Sequence, residues 1–337
     1  MRWLKIVGAL LAVAAVQIAA GGAESPRKVK LVLNWHAQAQ FAGFYMAKAA
    51  GFYSAAGLDV ELLHVSPEQN TGDYLESGRA DFATDWLINA MLFACKGIDV
   101  VQVTQFERRC GLLLVARRWI ERGGKKIEVN SITDLAGARI GMWMAGSYWK
   151  TLNLLIKSGG LTDYQPVEVL KNVDLFLYGG VDAISAMTYN EYFQILSAGL
   201  NPDELRVFPL GESGNVCGEG IYTTSKMARE NPAVCRKLAL ASMRGWELAR
   251  KDPDGALAEV KRQCRLGKVP FSEAHQRWML EHCLEVIFPD GAGNAIDSVS
   301  KSSYEFTRDL IVQMGVDITG TAMSYAAFCP FAPGDEK

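Results

Sequence analysis

Two short clusters join flat rings to hydrogen-bonding groups: Asn34-Trp35-His36 with Gln38 close behind, and Tyr189-Asn190-Glu191. Such a combination walls and orients a small heterocycle. Aromatic faces stack, adding roughly 0.5–1.5 kcal/mol per pair beyond the area they bury, while amides and histidine donate and accept and a carboxylate accepts from N–H groups. Trp35 and Tyr189 are the two walls, and Asn34, His36, Asn190 and Glu191 the polar contacts. Asp85-Trp86, Gly146-Ser147-Tyr148, and Cys217 with Glu219 complete the candidate set. The Gly146-Ser147 amides stand at a predicted helix start, where free N–H groups hold an acceptor or an anion. Each position has a plainer role open to it: interlobe packing for Trp35, core for Trp86, a helix N-terminus for Tyr189-Asn190-Glu191, a hinge for Cys217 and Glu219. Met142, Met144 and Met187 read as core fillers. No activated nucleophile is among these residues, and no catalytic residue or cofactor is assigned.

The seven cysteines (Cys95, Cys110, Cys217, Cys235, Cys264, Cys283 and Cys329) lack the close pairs of a zinc or redox motif, so no metal is assigned either. Their disulfide connectivity stays open.

From Val29 onward, short apolar runs alternate with amphipathic segments, the grammar that lays helices on the faces of a largely parallel sheet. The first half predicts strands at Val29–Leu33, Leu58–Leu63, Asp81–Thr84, Val100–Thr104 and Leu112–Ala116, with helices at Phe41–Ala50 and Trp86–Lys96. A polar loop, Gly123-Gly124-Lys125-Lys126, then marks a domain crossing. Ser131-Ile132-Thr133-Asp134 has capping-box spacing, and the grammar restarts. Strands follow at Ala138–Trp143, Val167–Leu170, Val181–Met187 and Leu205–Pro209, and helices at Tyr148–Lys157 and Asn190–Ala198. After a strand near Gly218–Thr224 the chain turns helical, with Asn231-Pro232 and Asp252-Pro253 as helix starts and Ser272 opening another. The expected organisation is an α/β chain of two lobes joined by a two-segment hinge: 24–117 with 219–337 as the first lobe, 118–218 as the second. Ligands of such sheets sit beyond the carboxyl ends of the strands, which is where the ring-bearing clusters fall.

Arg2 and Lys5, an apolar run from Ile6 to Ala20, and Gly21-Gly22-Ala23 read as a secretory signal over 1–23, placing the mature chain in the periplasm. A formal net charge of −2 and the absence of large Lys/Arg clusters exclude nucleic acid as a partner.

The run Leu33-Asn34-Trp35-His36-Ala37-Gln38-Ala39-Gln40-Phe41-Ala42-Gly43-Phe44-Tyr45, with Gly51-Phe52-Tyr53 and Gly57-Leu58-Asp59-Val60, resembles the opening of the NMT1/THI5-like solute-binding proteins. The likeness continues through Gly78-Arg79-Ala80-Asp81-Phe82, Asp134-Leu135-Ala136-Gly137, Met187-Thr188-Tyr189-Asn190-Glu191, Gly245-Trp246 and Asp252-Pro253. It implies a periplasmic-binding-protein type II fold. It also implies a monomer that binds a small heterocyclic ligand, such as a thiamine-precursor pyrimidine or a flavin, and delivers it to an inner-membrane ABC permease. One branch is similar in fold but is an enzyme, the thiamine pyrimidine synthase, which consumes its own histidine and pyridoxal phosphate. Its Lys and His fall here on Asp85 and Asn89, and its cysteine-rich iron motif falls on a stretch with only Cys217. Neither a carboxylate nor an amide can do the Schiff-base or imidazole chemistry. A ligand-sensor subunit is a third reading of the same fold.

Overall fold

The computed structural model describes residues 25–66, 69–144, 148–170, 172–211, 216, 218–291, 297–318 and 324–332. The strands run in chain order as β1 (Arg27–Leu33), β2 (Leu58–His64), β3 (Phe82–Trp86), β4 (Val101–Gln105), β5 (Leu112–Arg117) and β6 (Trp119–Arg122). They continue as β7 (Lys125–Glu128), β8 (Ala138–Met142), β9 (Tyr164–Glu168), β10 (Ala183–Met187), β11 (Leu205–Pro209) and β12 (Glu219–Thr223). Two five-stranded sheets result, ordered β2-β1-β3-β12-β4 and β11-β5-β10-β8-β9. In the first, β2, β1 and β3 are parallel and β12 runs against both neighbours. In the second, β9, β8 and β10 are parallel and β5 runs against β10 and β11. β3, β4, β10 and β12 are buried throughout, as expected of strands covered on both faces by helices.

The first expectation to fail is where the chain crosses. Leu112–Arg117 pairs with β10 and β11 in the second sheet, so the crossing precedes Leu112 instead of lying near Arg118. An apolar strand looks alike in either lobe, and only its pairing assigns it. The Gly123-Gly124 stretch is not a plain loop either: it turns the β6-β7 hairpin, with both glycines at positive φ. The strand expected at Val167–Leu170 lies at Tyr164–Glu168, and the one expected to end at Trp143 ends at Met142. Asp252 caps its helix through the Gly255 N–H at 3.0 Å, whereas Asn231 makes no side-chain cap and accepts from Arg27 Nη1.

Two connections span the sheets, 106–111 on the way out and 210–218 on the way back, and the first is tied to Glu219, the residue that opens β12. The Glu219 N–H donates to Glu107 Oε2 at 3.0 Å, and the Phe106 and Glu107 N–H groups donate to the Glu219 carbonyl at 3.1 and 3.0 Å. The first lobe is further fixed by the helix Ala42–Ala49 crossing the helix Pro232–Lys251 in close contact. A Cβ on Gly245 would lie 2.0 Å from the Gly43 carbonyl oxygen, and one on Gly43 2.2 Å from the Trp246 ring. Cys235, Cys264 and Cys283 are buried free thiols, one on each of the helices Pro232–Lys251, Pro253–Leu266 and Glu273–Ile287.

Candidate functional site

The parallel strands of both sheets end at one cleft, and a cavity of about 470 Å³ lies there. From the first sheet come Asn34, Trp35, His36, Ala37, Gln38 and Gln40, beyond β1, and Trp86 at the end of β3. From the second come Trp143 and Met144 beyond β8, Glu168, Val169 and Leu170 at the end of β9, and Met187, Tyr189, Asn190, Glu191 and Gln194 beyond β10. Val269, Pro270, His275 and Gln276 close one side from the start of the helix Glu273–Ile287. This is the size and the mixed ring-and-polar lining of a small-molecule pocket.

Of the residues singled out from the sequence, the fold brings Asn34, Trp35, His36, Gln38, Trp86, Tyr189, Asn190 and Glu191 onto this one surface. Asp85 is not on it. Its carboxylate is buried behind β3, accepting from Thr71 Oγ1, from Asn89 Nδ2 at 2.8 Å and from the Trp86 N–H at 2.8 Å, and burial raises its pKa. Strand alternation explains this, because neighbours on β3 face opposite ways and the aromatic takes the cleft side. Glu219 lies beneath the wall, at zero exposure. Gly146, Ser147 and Cys217 lie outside the described residues, as does the segment 1–23. Tyr148 begins the helix Tyr148–Ser158. Met142 and Met187 are buried in the core, as read, although Met187 also lines the cavity; Met144 lines the cavity without being part of the buried core.

Most polar groups on the wall are already engaged. Asn34 Nδ2 donates to Glu219 Oε1 at 2.9 Å while its Oδ1 accepts from Thr84 Oγ1 at 3.1 Å. Glu191 Oε2 accepts from the Met187 N–H and Oε1 from Asn190 Nδ2, both at 2.8 Å. Burial raises the Glu191 carboxyl to about 7, against these hydrogen bonds, which favour the anion. Glu219 and Glu107 are both held above the ordinary carboxylate range, by burial first and by neighbouring carboxylates. Burial likewise lowers His275, whose ring stacks on Phe193 with centroids 5.0 Å apart. Among the described lining residues there is no lysine or arginine.

The two lobes also touch beside the cavity. Trp278 Nε1, on the helix Glu273–Ile287, donates to the Thr188 carbonyl of the second lobe at 3.0 Å, and its ring lies 5.4 Å from that of Phe193.

Gln40, Trp143, Met144, Glu168, Val169, Leu170, Gln194, Val269, Pro270, His275 and Gln276 were not foreseen. Correct ends for β8 and β9 would have exposed Trp143 and Glu168 through the same strand-end rule. No local signal marks the last four, which reach the cleft because a helix far along the chain docks there.

The family model described as NMT1/THI5 like matches residues 38–256. The riboflavin-binding protein RibY of Chloroflexus aurantiacus is 25% identical over 237 residues, 68% of this chain and 64% of that protein's length. A 4-amino-5-hydroxymethyl-2-methylpyrimidine phosphate synthase of Uromyces fabae is 24% identical over 250 residues, 70% of each chain. Among solved structures, the periplasmic aliphatic sulphonate binding protein SsuA of Escherichia coli superposes with a TM-score of 0.68 at 17% identity, covering 89% of this chain and 91% of that one. The periplasmic nitrate-binding protein NrtA of Synechocystis PCC 6803 gives 0.58 at 14%, covering 88% and 83%. The fold is that of the periplasmic binding proteins, with two α/β lobes.

Proposed function

This chain belongs to the NMT1/THI5-like family, and from that premise we propose that it is a solute-binding protein that closes its two lobes over a small nitrogenous heterocycle. The observation that carries the reading is the meeting of Trp35, from the first lobe, with Tyr189 and Glu191, from the second, on a single cavity. A ligand touching both walls favours the closed arrangement by its differential contacts, and the paired connections at Glu107 and Glu219 are the hinge. The ligand class is a pyrimidine, a flavin or a related ring, supported by the ring-lined cleft and by the named ligand of the Chloroflexus relative. The proposed setting is the periplasm, the proposed state a monomer, and the proposed partner an inner-membrane ABC permease.

The synthase relatives offer a second reading. It is disfavoured by Asp85 and Asn89, which are hydrogen-bonded to each other away from the cavity, where that chemistry needs an amine and an imidazole. Native mass spectrometry of freshly purified protein, with a spectrum of the same sample, tests both. A retained ring compound released unchanged on denaturation supports the binder. Turnover, or an aldehyde cofactor bound as a Schiff base, overturns it.

A further inference from the structure

Two hydrogen-bond chains run to the cavity, one from each lobe, and they are built alike. In the first, Gln40 Nε2 donates to Glu219 Oε1 and Gln38 Nε2 donates to Gln40 Oε1. In the second, Asn190 Nδ2 donates to Glu191 Oε1 at 2.8 Å and Gln194 Nε2 donates to Asn190 Oδ1 at 3.1 Å. Each begins at a buried carboxyl group, passes through one amide and ends on a glutamine that lines the cavity.

A primary amide has nearly the same shape either way round, so its partner alone decides which end faces where. A carboxylate oxygen only accepts, and the carbonyl oxygen of a neutral acid still accepts. The first amide must therefore turn its NH2 inward and its oxygen outward, and the second must follow. Both chains thus end with a glutamine oxygen, Gln38 Oε1 and Gln194 Oε1, and neither oxygen accepts from any described residue. Gln276 is the reverse case, since its Oε1 accepts from the Ala39 N–H at 2.6 Å and its NH2 donates to none of the described residues.

Building on the heterocycle reading above, we propose that Glu219 and Glu191 act as positioning residues that fix the Gln38 and Gln194 corners of the cavity as acceptors, so that the ligand presents N–H donors on two edges. Once the lobes close over it, an acceptor-only ring or an anion leaves those oxygens facing lone pairs. That loses the hydrogen bonds and adds repulsion.

The two roots differ in one respect, which supplies the test. At Glu219 one oxygen, Oε1, accepts from both Asn34 and Gln40, so a glutamine there can keep that oxygen in place and preserve the chain. At Glu191 the two oxygens serve different donors, the Met187 N–H and the Asn190 amide. A glutamine there must keep its oxygen toward the Met187 N–H, so its NH2 faces Asn190. Asn190 turns over, and Gln194 then offers its NH2.

The probes are 2,4-diaminopyrimidine, whose exocyclic groups donate, and 2,4-dimethoxypyrimidine, whose exocyclic groups only accept and each add a methyl, measured by calorimetry in alkaline buffer where both are neutral. The size difference is common to parent and variants, so the change of the affinity ratio between them reports the polarity. The parent should bind the diamino ring at least about tenfold tighter. Glu219→Gln should keep that ratio within about threefold, while Glu191→Gln should lower it about tenfold, largely by gaining affinity for the dimethoxy ring. A merely structural role would weaken both probes together and leave the ratio alone. Binding of both rings without preference, or equal changes of the ratio in the two variants, overturns the polarity while leaving the heterocycle reading standing. Binding of neither ring overturns that reading and the polarity with it.

Discussion

Glu191 offers a quantitative check on the buried wall through Glu191→Gln. The residue is 8% exposed, and burial raises its carboxyl to about 7 from an ordinary 4.5. A group that binds protons more tightly when folded than when unfolded makes stability fall as pH rises between those two values, with the loss complete above the folded pKa. Integrating between pH 5 and pH 8, with each pH unit worth about 1.4 kcal/mol while only the folded state holds the proton, gives a loss of about 2 to 3 kcal/mol from this one group. Glutamine has the same shape, keeps the acceptor for the Met187 N–H, and cannot ionise. Subtracting the two stability curves removes the contributions of His64, His275, Glu107 and Glu219, which are common to both proteins. Urea unfolding at half-unit steps from pH 5 to pH 8 should show the variant gaining on the parent by that amount, at unchanged denaturant slope. Parallel curves would mean that Glu191 ionises in the folded protein as freely as in water, and the account of a dry carboxyl at the root of the second chain would be wrong.

Trp35→Ala removes a half-buried wall; it should fold normally and bind 2,4-diaminopyrimidine at least about tenfold more weakly by calorimetry. Tyr189→Ala should lose binding too, but because the ring is only 2% exposed it should also cost about 3 to 5 kcal/mol on thermal unfolding. Trp278→Phe deletes the hydrogen bond to the Thr188 carbonyl between the lobes, worth about 1 kcal/mol, and should shift the unliganded protein toward an open form with a larger radius of gyration in X-ray scattering. Gly245→Ala forces a methyl group against the Gly43 carbonyl and should destabilise by about 3 kcal/mol or more, read as a fall in melting temperature.

Local chemistry in the sequence determined most of the strands, because apolar alternation and punctuating glycines act within a few residues, though it missed the β6-β7 hairpin and displaced β9. With those strands came the residues that end or follow β1, β3 and β10. Asn34, Trp35, Trp86, Tyr189 and Glu191 were therefore legible before any fold was known. Pairing was not: Leu112–Arg117 has the same apolar face for either sheet, and only its bonds to β10 and β11 assign it to the second. Nor was the fate of each polar group. Asn34 and Asp85 look as available as Gln38 and Gln194 when read along the chain, yet the first two are spent on Thr84, Glu219, Thr71 and Asn89. Glu219 meets Gln40 across a sequence separation of 179 residues. Which atoms remain to meet a ligand is settled by hydrogen bonds between distant parts of the chain. Such bonds form only once the sheets have set the register, so tertiary structure alone decides them.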